Sequence, residues 1–153
     1  MSDTSTEESS QALHMRVAAM DYLARREHSR RELRDKLLRR FDAPDGVEEV
    51  IETLARENLQ SDTRFAESYL RQRAARGYGP LRIRQELRQR GVDEVDVEHA
   101  FRSERLDWEE LAGIALRRKF GSGPAADLHE KSRRSRFLQY RGFAYEHFSN
   151  QLD

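Results

Sequence analysis

The chain has 153 residues, 28 basic and 28 acidic side chains, 37% apolar residues and no cysteine. This length suits one domain or a short array of small repeats, and without cysteine there are no disulfides, iron–sulfur clusters, thiolate zinc sites or cysteine nucleophiles. No apolar run approaches the roughly 18 residues of a membrane helix, and the polar first ten residues do not form a signal peptide. We therefore expect a helical, cytoplasmic protein with a disordered acidic tail over residues 1–10.

The zero net charge hides alternating blocks of opposite sign. Residues 11–41 carry a net charge of +5, residues 42–62 of −6, residues 63–92 of +6, residues 93–110 of −6 and residues 111–153 of +4. If each block forms one or two helices, the basic helices can line up as a stripe that suits phosphates or carboxylates. The alternative is that helices of opposite charge neutralise one another across solvated faces.

The first predicted repeat covers residues 11–60 and contains three helices. The buried face of its first helix is predicted to carry Leu13, Val17, Met20 and Ala24, with Leu23 alongside. Ser29 with Glu32 forms a capping box that opens the second helix, and Asp45 with Glu48 is expected to cap the third.

The pattern restarts in residues 61–105 and again in residues 106–153. Pro80 suits the first position of a helix, and Gly91 can adopt the left-handed conformation that closes it. The segment 87–92 matches the segment 138–143 at an offset of 51, whereas Pro80 and Pro124 are only 44 apart, so the third repeat's middle helix is expected to be seven residues longer. The sequence predicts an all-α fold of three tandem three-helix repeats in an elongated array, straight or curved. A compact nine-helix globule is the alternative.

No motif for catalysis or for a cofactor is recognisable. The five histidines lack metal-ligand spacing and are expected as surface or cap residues, and neither a P-loop nor a Gly-x-Ser-x-Gly motif occurs. An active site needs convergent, desolvated titratable groups, and the sequence nominates none. It therefore predicts a binding protein with no catalytic residues, no metal ligands and no cofactor.

Arginines interleaved with tyrosines form the candidate partner-binding surface. Arg84 and Arg88 are expected on one flank of the helix that begins at Pro80, and Arg82 on the other. Such a mixture suits a phosphate backbone or an acidic protein groove. In the second repeat the candidates are Arg73, Arg76, Tyr78, Arg82, Arg84, Arg88 and Arg90. In the third repeat they are Arg117, Arg118, Lys119, Arg133, Arg134, Arg136, Tyr140 and Arg141.

The segment RAARGYGPLRIRQELRQRGV at residues 73–92 resembles the signature segment of the RecX family, the regulators of the RecA recombinase. Supporting segments are SDTRFAESY at 61–69, HSRREL at 28–33, RRKFG at 117–121 and RFLQYRGF at 136–143. The resemblance spans about residues 13–152 in order. One departure is that a long insertion between the second and third helices of the first repeat is missing.

The resemblance implies a non-catalytic regulator that binds RecA and the RecA–DNA filament. Such a protein lowers recombinase, ATPase and coprotease activities in DNA repair and the SOS response. Single- and double-stranded DNA are further candidate partners, and no nucleotide or metal cofactor is implied. We expect a monomer without membrane contact. Alternatives are a helix-turn-helix DNA-binding regulator, with residues 77–80 as its turn, and a neutral helical scaffold.

Overall fold

The computed structural model describes residues 2–153, and the side chains of residues 4–153. Over this range it contains nine α-helices and no strand. The first repeat consists of α1 (Ser2–Arg25), α2 (Arg30–Arg40) and α3 (Pro44–Arg56). The second consists of α4 (Asp62–Ala75), α5 (Pro80–Gln89) and α6 (Glu94–Glu104). The third consists of α7 (Trp108–Phe120), α8 (Leu128–Tyr140) and the short α9 (Tyr145–Phe148), which continues into a 3₁₀ turn over Ser149–Gln151.

Each repeat has its own hydrophobic core, and the three cores follow one another along the chain. Buried members of the three cores include Leu33, Leu37 and Ile51, then Leu70, Ile83 and Leu87, then Leu138, Phe143 and Phe148. Trp108 joins the second core to the third, with its ring centroid 5.9 Å from that of Phe101 and 6.4 Å from that of Phe143. Helices pack mainly within their own repeat. The predicted all-α fold of tandem three-helix repeats is confirmed.

Local hydrogen bonds and backbone conformations determine where helices begin and end. Ser29 Oγ accepts the N–H of Glu32 at 3.1 Å, and Glu32 Oε1 accepts the N–H of Ser29 at 3.2 Å, which is the predicted capping box. Gly91 follows α5 with the predicted positive φ, +81°. The predicted cap at Asp45 is wrong, because α3 already begins at Pro44. Proline suits that first position, since its φ is fixed and it lacks the N–H that would stay unpaired.

The buried face of α1 differs from the predicted one. Leu13 and Val17 are each 61% exposed and Met20 is 37% exposed. Met15 and Ala18 are buried in the first core instead. Hydrophobic periodicity gives most weight to large side chains, whereas α1 packs through small residues around one methionine. The large residues of the predicted face therefore face solvent.

Residues 2–10 form the first turns of α1, where the sequence predicted a disordered tail. Glu7 and Glu8 are good helix formers, and negative side chains near a helix N-terminus interact favourably with the helix dipole. The side chains of residues 4–10 are exposed, so a polar composition is compatible with a solvated helix. Residue 1 of the predicted tail lies outside the described residues.

The extra residues of the third repeat lie mainly in a loop. α8 has 13 residues and α5 has 10, so the helix is longer by three residues and not by the predicted seven. Gly121 follows α7 with a φ of +83°. Asp127 Oδ1 accepts the N–H of Glu130 at 2.8 Å and so caps the start of α8. This cap starts the helix after Pro124, and residues 121–127 connect the two helices.

Candidate partner-binding surface

Tyr78 lies in the loop between α4 and α5, and guanidinium groups surround its ring. The guanidinium carbon of Arg73 is 3.8 Å from the ring centroid and that of Arg82 is 4.5 Å away. Arg141, from the third repeat, lies 4.9 Å from the same centroid. Each cation–π contact of this kind is worth about 0.5–2 kcal/mol. Four predicted surface residues from two repeats therefore meet at one aromatic ring.

Glu86 neutralises part of the positive charge around Tyr78. Its carboxylate accepts two hydrogen bonds from Arg73, at 3.1 Å from Nε and 3.0 Å from Nη2. Its Oε2 also lies 3.8 Å from Arg82 Nε. A bidentate arginine–carboxylate pair is among the strongest hydrogen-bonded arrangements in proteins. These arginines are therefore held in place by the protein itself.

Two glycine-containing loops hold the second and third repeats together. The N–H of Gly79 donates to the carbonyl of Arg141 at 2.7 Å, and the N–H of Leu81 donates to the carbonyl of Gly142 at 3.0 Å. A Cβ atom on Gly79 would collide with the backbone of Gly142. A Cβ atom on Gly142 would collide with Arg82, and Gly142 also has a φ of +99°. Both positions therefore require glycine.

A related contact recurs at the joint between the first and second repeats. A Cβ atom on Gly91 would collide with the side chain of Arg31, as one on Gly142 would with Arg82. Gly91 and Gly142 are 51 residues apart, and so are Arg31 and Arg82. In each joint the glycine that follows one middle helix packs against an arginine near the start of the preceding repeat's middle helix. The sequence offset of 51 therefore reflects a repeated packing contact.

The joint between the first and second repeats also contains a buried polar network. Ser29 Oγ donates to the carbonyl of Arg90 at 2.8 Å. Gln60 Nε2 donates to the carbonyl of His28 at 3.2 Å and to Asp62 Oδ1 at 2.9 Å. His28, Ser29 and Gln60 are buried. Sequence reasoning assigned Ser29 only as a helix cap and missed this network, because its members come from two repeats.

His28 is held neutral in this joint. Its Nε2 lies 2.8 Å from Lys36 Nζ, which can only donate, so Nε2 accepts and Nδ1 donates to the carbonyl of Arg26 at 3.1 Å. Burial is the main cause that lowers the pKa of His28 below its ordinary 6.5, and the positive charges of Arg26 and Lys36 act in the same direction. The prediction of a surface or cap histidine is therefore wrong for His28, which is 1% exposed.

Arginines of the middle helices pair with carboxylates of the helix that follows. Arg84 pairs with Glu98, and its guanidinium carbon is also 4.0 Å from the centroid of Phe101. Arg34 makes the corresponding pair with Glu48 in the first repeat, and its hydrogen bond lowers the pKa of that carboxyl. The sequence left open whether helices of opposite charge neutralise one another. For these arginines of the middle helices and the acidic helices that follow them, they do.

The predicted cations divide into a paired and an unpaired set. Those with a carboxylate oxygen within 4.0 Å are Arg73, Arg82, Arg84, Arg88, Arg90 and Arg134. Among the described residues, no carboxylate forms an ion pair with Arg76, Arg117, Arg118, Lys119, Arg133, Arg136 or Arg141. All but one of the paired residues lie in the second repeat, and all but one of the unpaired residues lie in the third.

Two of the predicted residues in the third repeat, Arg134 and Tyr140, differ strongly in exposure. Arg134 is buried, and its guanidinium donates to Glu130 Oε1 at 2.8 Å and to the carbonyl of Gly123 at 2.9 Å. It holds the loop before α8 against the helix, so the prediction that it lies on the surface is wrong. Tyr140 is 76% exposed at the end of α8, with the Arg82 guanidinium carbon 5.4 Å from its ring centroid.

The described part of the chain contains no cluster of histidine, aspartate and glutamate side chains that could hold a metal ion. None of its helices is long and apolar enough to cross a membrane. It does contain three small helical units that are joined through glycine contacts. A cationic and aromatic surface lies at the joint between the second and third repeats and continues over the third repeat. These features define a protein of the tandem three-helix-repeat class.

Comparison with known proteins identifies the family within that class. The models for the first, second and third three-helix domains of RecX match residues 16–54, 61–100 and 107–149. The chain belongs to the RecX family. It is 44% identical over 129 residues to the regulatory protein RecX of Pseudomonas savastanoi pv. phaseolicola, covering 84% of this chain and 83% of that protein. It is 48% identical over 129 residues to the regulatory protein RecX of Halorhodospira halophila, covering 84% and 80%.

Solved structures share the fold. The crystal structure of RecX from Lactobacillus salivarius superposes with a TM-score of 0.74 at 24% identity, covering 93% of this chain and 94% of that one. A second crystal structure, of a regulatory protein RecX, gives a TM-score of 0.79 at 24% identity, covering 96% and 75%. The order of three-helix domains is thus common to this chain and its relatives.

Proposed function

We propose that this protein binds RecA and the RecA–DNA filament and lowers the recombinase, ATPase and coprotease activities of RecA in DNA repair and the SOS response. The observation that carries the proposal is the match of three consecutive RecX domains, in order, over residues 16–149. The relatives' name describes a regulatory protein. The protein acts by binding, without turnover of its own, as a monomer in the cytoplasm.

The division of cations suggests how such binding is distributed. Each repeat has its own hydrophobic core. The predicted bounds of the repeats, 11–60, 61–105 and 106–153, stay predictions. Contacts made by several units to one polymer raise the effective concentration of each further contact. The unpaired cations of the third repeat are available to anionic surfaces, whereas the arginines of α5 already have carboxylate partners. The third repeat therefore contributes most of the electrostatic attraction to the filament.

The experiment is the RecA ATPase rate on single-stranded DNA, with and without this protein. Wild-type protein should inhibit the rate. The double variant Arg117→Glu/Arg118→Glu should need roughly tenfold more protein for half-inhibition, which corresponds to about 1.4 kcal/mol. Arg102→Glu is the matched control, because Arg102 is exposed and, among the described side chains, has no ion-pair partner, yet it lies on the acidic helix α6.

An ATPase rate that stays unchanged at a saturating concentration of the wild-type protein would contradict the proposal. Equal loss of inhibition by both variants would contradict the assignment to the third repeat. Sequence-specific DNA binding without RecA would instead favour the helix-turn-helix regulator.

A further inference from the structure

One face of α8 carries cations and an aromatic ring at helical spacing. Arg133, Arg136 and Tyr140 follow one another at intervals of three and four residues, so their side chains lie on one side of the helix. All three are exposed. The face spans about 10 Å from the first residue to the last, at 1.5 Å of rise per residue.

The charge on this face is not neutralised by the described residues. Residues 117–141 contain eight basic and two acidic side chains, a net charge of +6. The two carboxylates are occupied elsewhere: Asp127 caps α8, and Glu130 pairs with the buried Arg134. Among the described residues, no carboxylate oxygen lies within 4.0 Å of a guanidinium nitrogen of Arg133 or Arg136, so both groups are available to an external anion.

Tyr140 differs from the other tyrosines near the joint. Tyr78 is enclosed by three guanidinium groups, and Tyr69 is half-buried with Arg90 over its ring at 4.6 Å. The ring of Tyr140 is 76% exposed, with one guanidinium, that of Arg82, at 5.4 Å. Arg82 is itself fixed by Glu86 and by the ring of Tyr78. Tyr140 is thus an exposed ring supported from the second repeat.

We propose that this face of α8 binds single-stranded DNA, with Tyr140 stacking on a base and with Arg133 and Arg136 contacting phosphates. The inference rests on the proposed function, since a regulator of the RecA–DNA filament works beside a single strand. An aromatic ring beside unpaired cations is the arrangement that binds single strands, because every base offers a face for stacking. In a duplex the bases are already stacked on one another, so the ring would gain little. An acidic protein surface would use the cations but not the ring.

The test measures binding of the full chain to fluorescein-labelled oligothymidylate by fluorescence anisotropy, with no RecA present. Tyr140→Ala should weaken binding roughly 5- to 100-fold, and Tyr140→Phe should bind nearly as the wild type does. Tyr145→Ala is the matched control, because Tyr145 is also 61% exposed but its ring packs against Phe148 in α9. A strand of abasic sites with the same length and charge should bind the wild type and Tyr140→Ala equally.

The salt dependence tests the phosphate contacts separately. Arg136→Gln should reduce the slope of log K against log salt by about 0.7, the value for one phosphate contact on a single strand. Arg102→Gln should leave the slope unchanged. Circular dichroism of each variant should match that of the wild type, since the four substituted side chains are exposed.

Equal affinities of the wild type and Tyr140→Ala for oligothymidylate would overturn the inference, and so would abasic strands that bind as tightly as the base-containing ones. Stronger binding of duplex than of single strands would also overturn it. These results are independent of the proposed function, which fails only if wild-type protein leaves the RecA ATPase rate unchanged.

Discussion

Replacement of Gly79 by alanine tests whether the glycine contact holds the second and third repeats together. Gly79 has a φ of −94°, which any residue can adopt, so the effect is steric and comes from the backbone of Gly142. To relieve this collision the two loops must move apart, which breaks two hydrogen bonds between the repeats. These bonds run from Gly79 N–H to Arg141 O and from Leu81 N–H to Gly142 O. At about 1–2 kcal/mol each, we expect a loss of about 2–4 kcal/mol in the free energy of unfolding.

Trp108 reports on this joint, because it is the only tryptophan and packs between Phe101 and Phe143. Urea unfolding followed by its fluorescence should show a midpoint lower by about 1–2 M for Gly79→Ala. Gly123→Ala is the control, since no atom lies within 4 Å of the added Cβ, and its stability should change by less than about 1 kcal/mol. Equal midpoints for the two variants would show that the contact between Gly79 and Gly142 does not stabilise the joint.

Three further predictions concern the first core, the ion pairs and the buried histidine. Met15→Ala should cost about 2–4 kcal/mol in urea unfolding and Leu13→Ala less than about 0.5, because only the methionine is buried. Arg84→Glu should destabilise the protein, because it places a second carboxylate beside Glu98. The double variant Arg84→Glu/Glu98→Arg restores an ion pair and should recover about 0.5–1 kcal/mol of the free energy of unfolding. Effects of the two substitutions that simply add would contradict the pairing. Since the pKa of His28 is lowered in the folded protein, the unfolded chain binds more protons as the pH falls through 6.5, so stability should decrease toward lower pH. His28→Gln should lose that part of the pH dependence of the urea midpoint, and an unchanged pH profile would contradict a buried neutral histidine.

Much of the fold follows from local signals in the sequence. The capping box at Ser29, the proline at the start of α5 and the left-handed Gly91 each fix a helix end through residues close in sequence, so they could be predicted. The buried pair Ile83 and Leu87 follows from helical periodicity in the same way. Tandem repetition adds to these signals, because one unit predicts the next.

What the sequence did not predict depends on tertiary contacts, some between units and some between the elements of one unit. His28 and Gln60 are buried only because two repeats meet there, and neither residue has a local pattern that shows it. The carboxylate partners of the α5 arginines are another example, since charge blocks are equally compatible with an open stripe and with pairing across helices. Arg134 was predicted at the surface for the same reason, although it is buried beside Phe120. Counting charges in the sequence gives the net charge of each segment. Only the packing of the helices shows which charged side chains lack an ion-pair partner.

The joint of glycine against arginine gives the array a direction. Arg31 receives Gly91, and Arg82 receives Gly142. The middle helices of the second and third repeats are each followed by a glycine. In the first repeat, α2 is followed instead by Phe41, which has a φ of −125°. The first repeat therefore has no glycine that could pack against a preceding unit. The repeats are consequently not interchangeable, and a shuffled chain with the first unit placed last would lack one of its two interlocking contacts. Order along the polypeptide is therefore encoded in the connectors as much as in the helices.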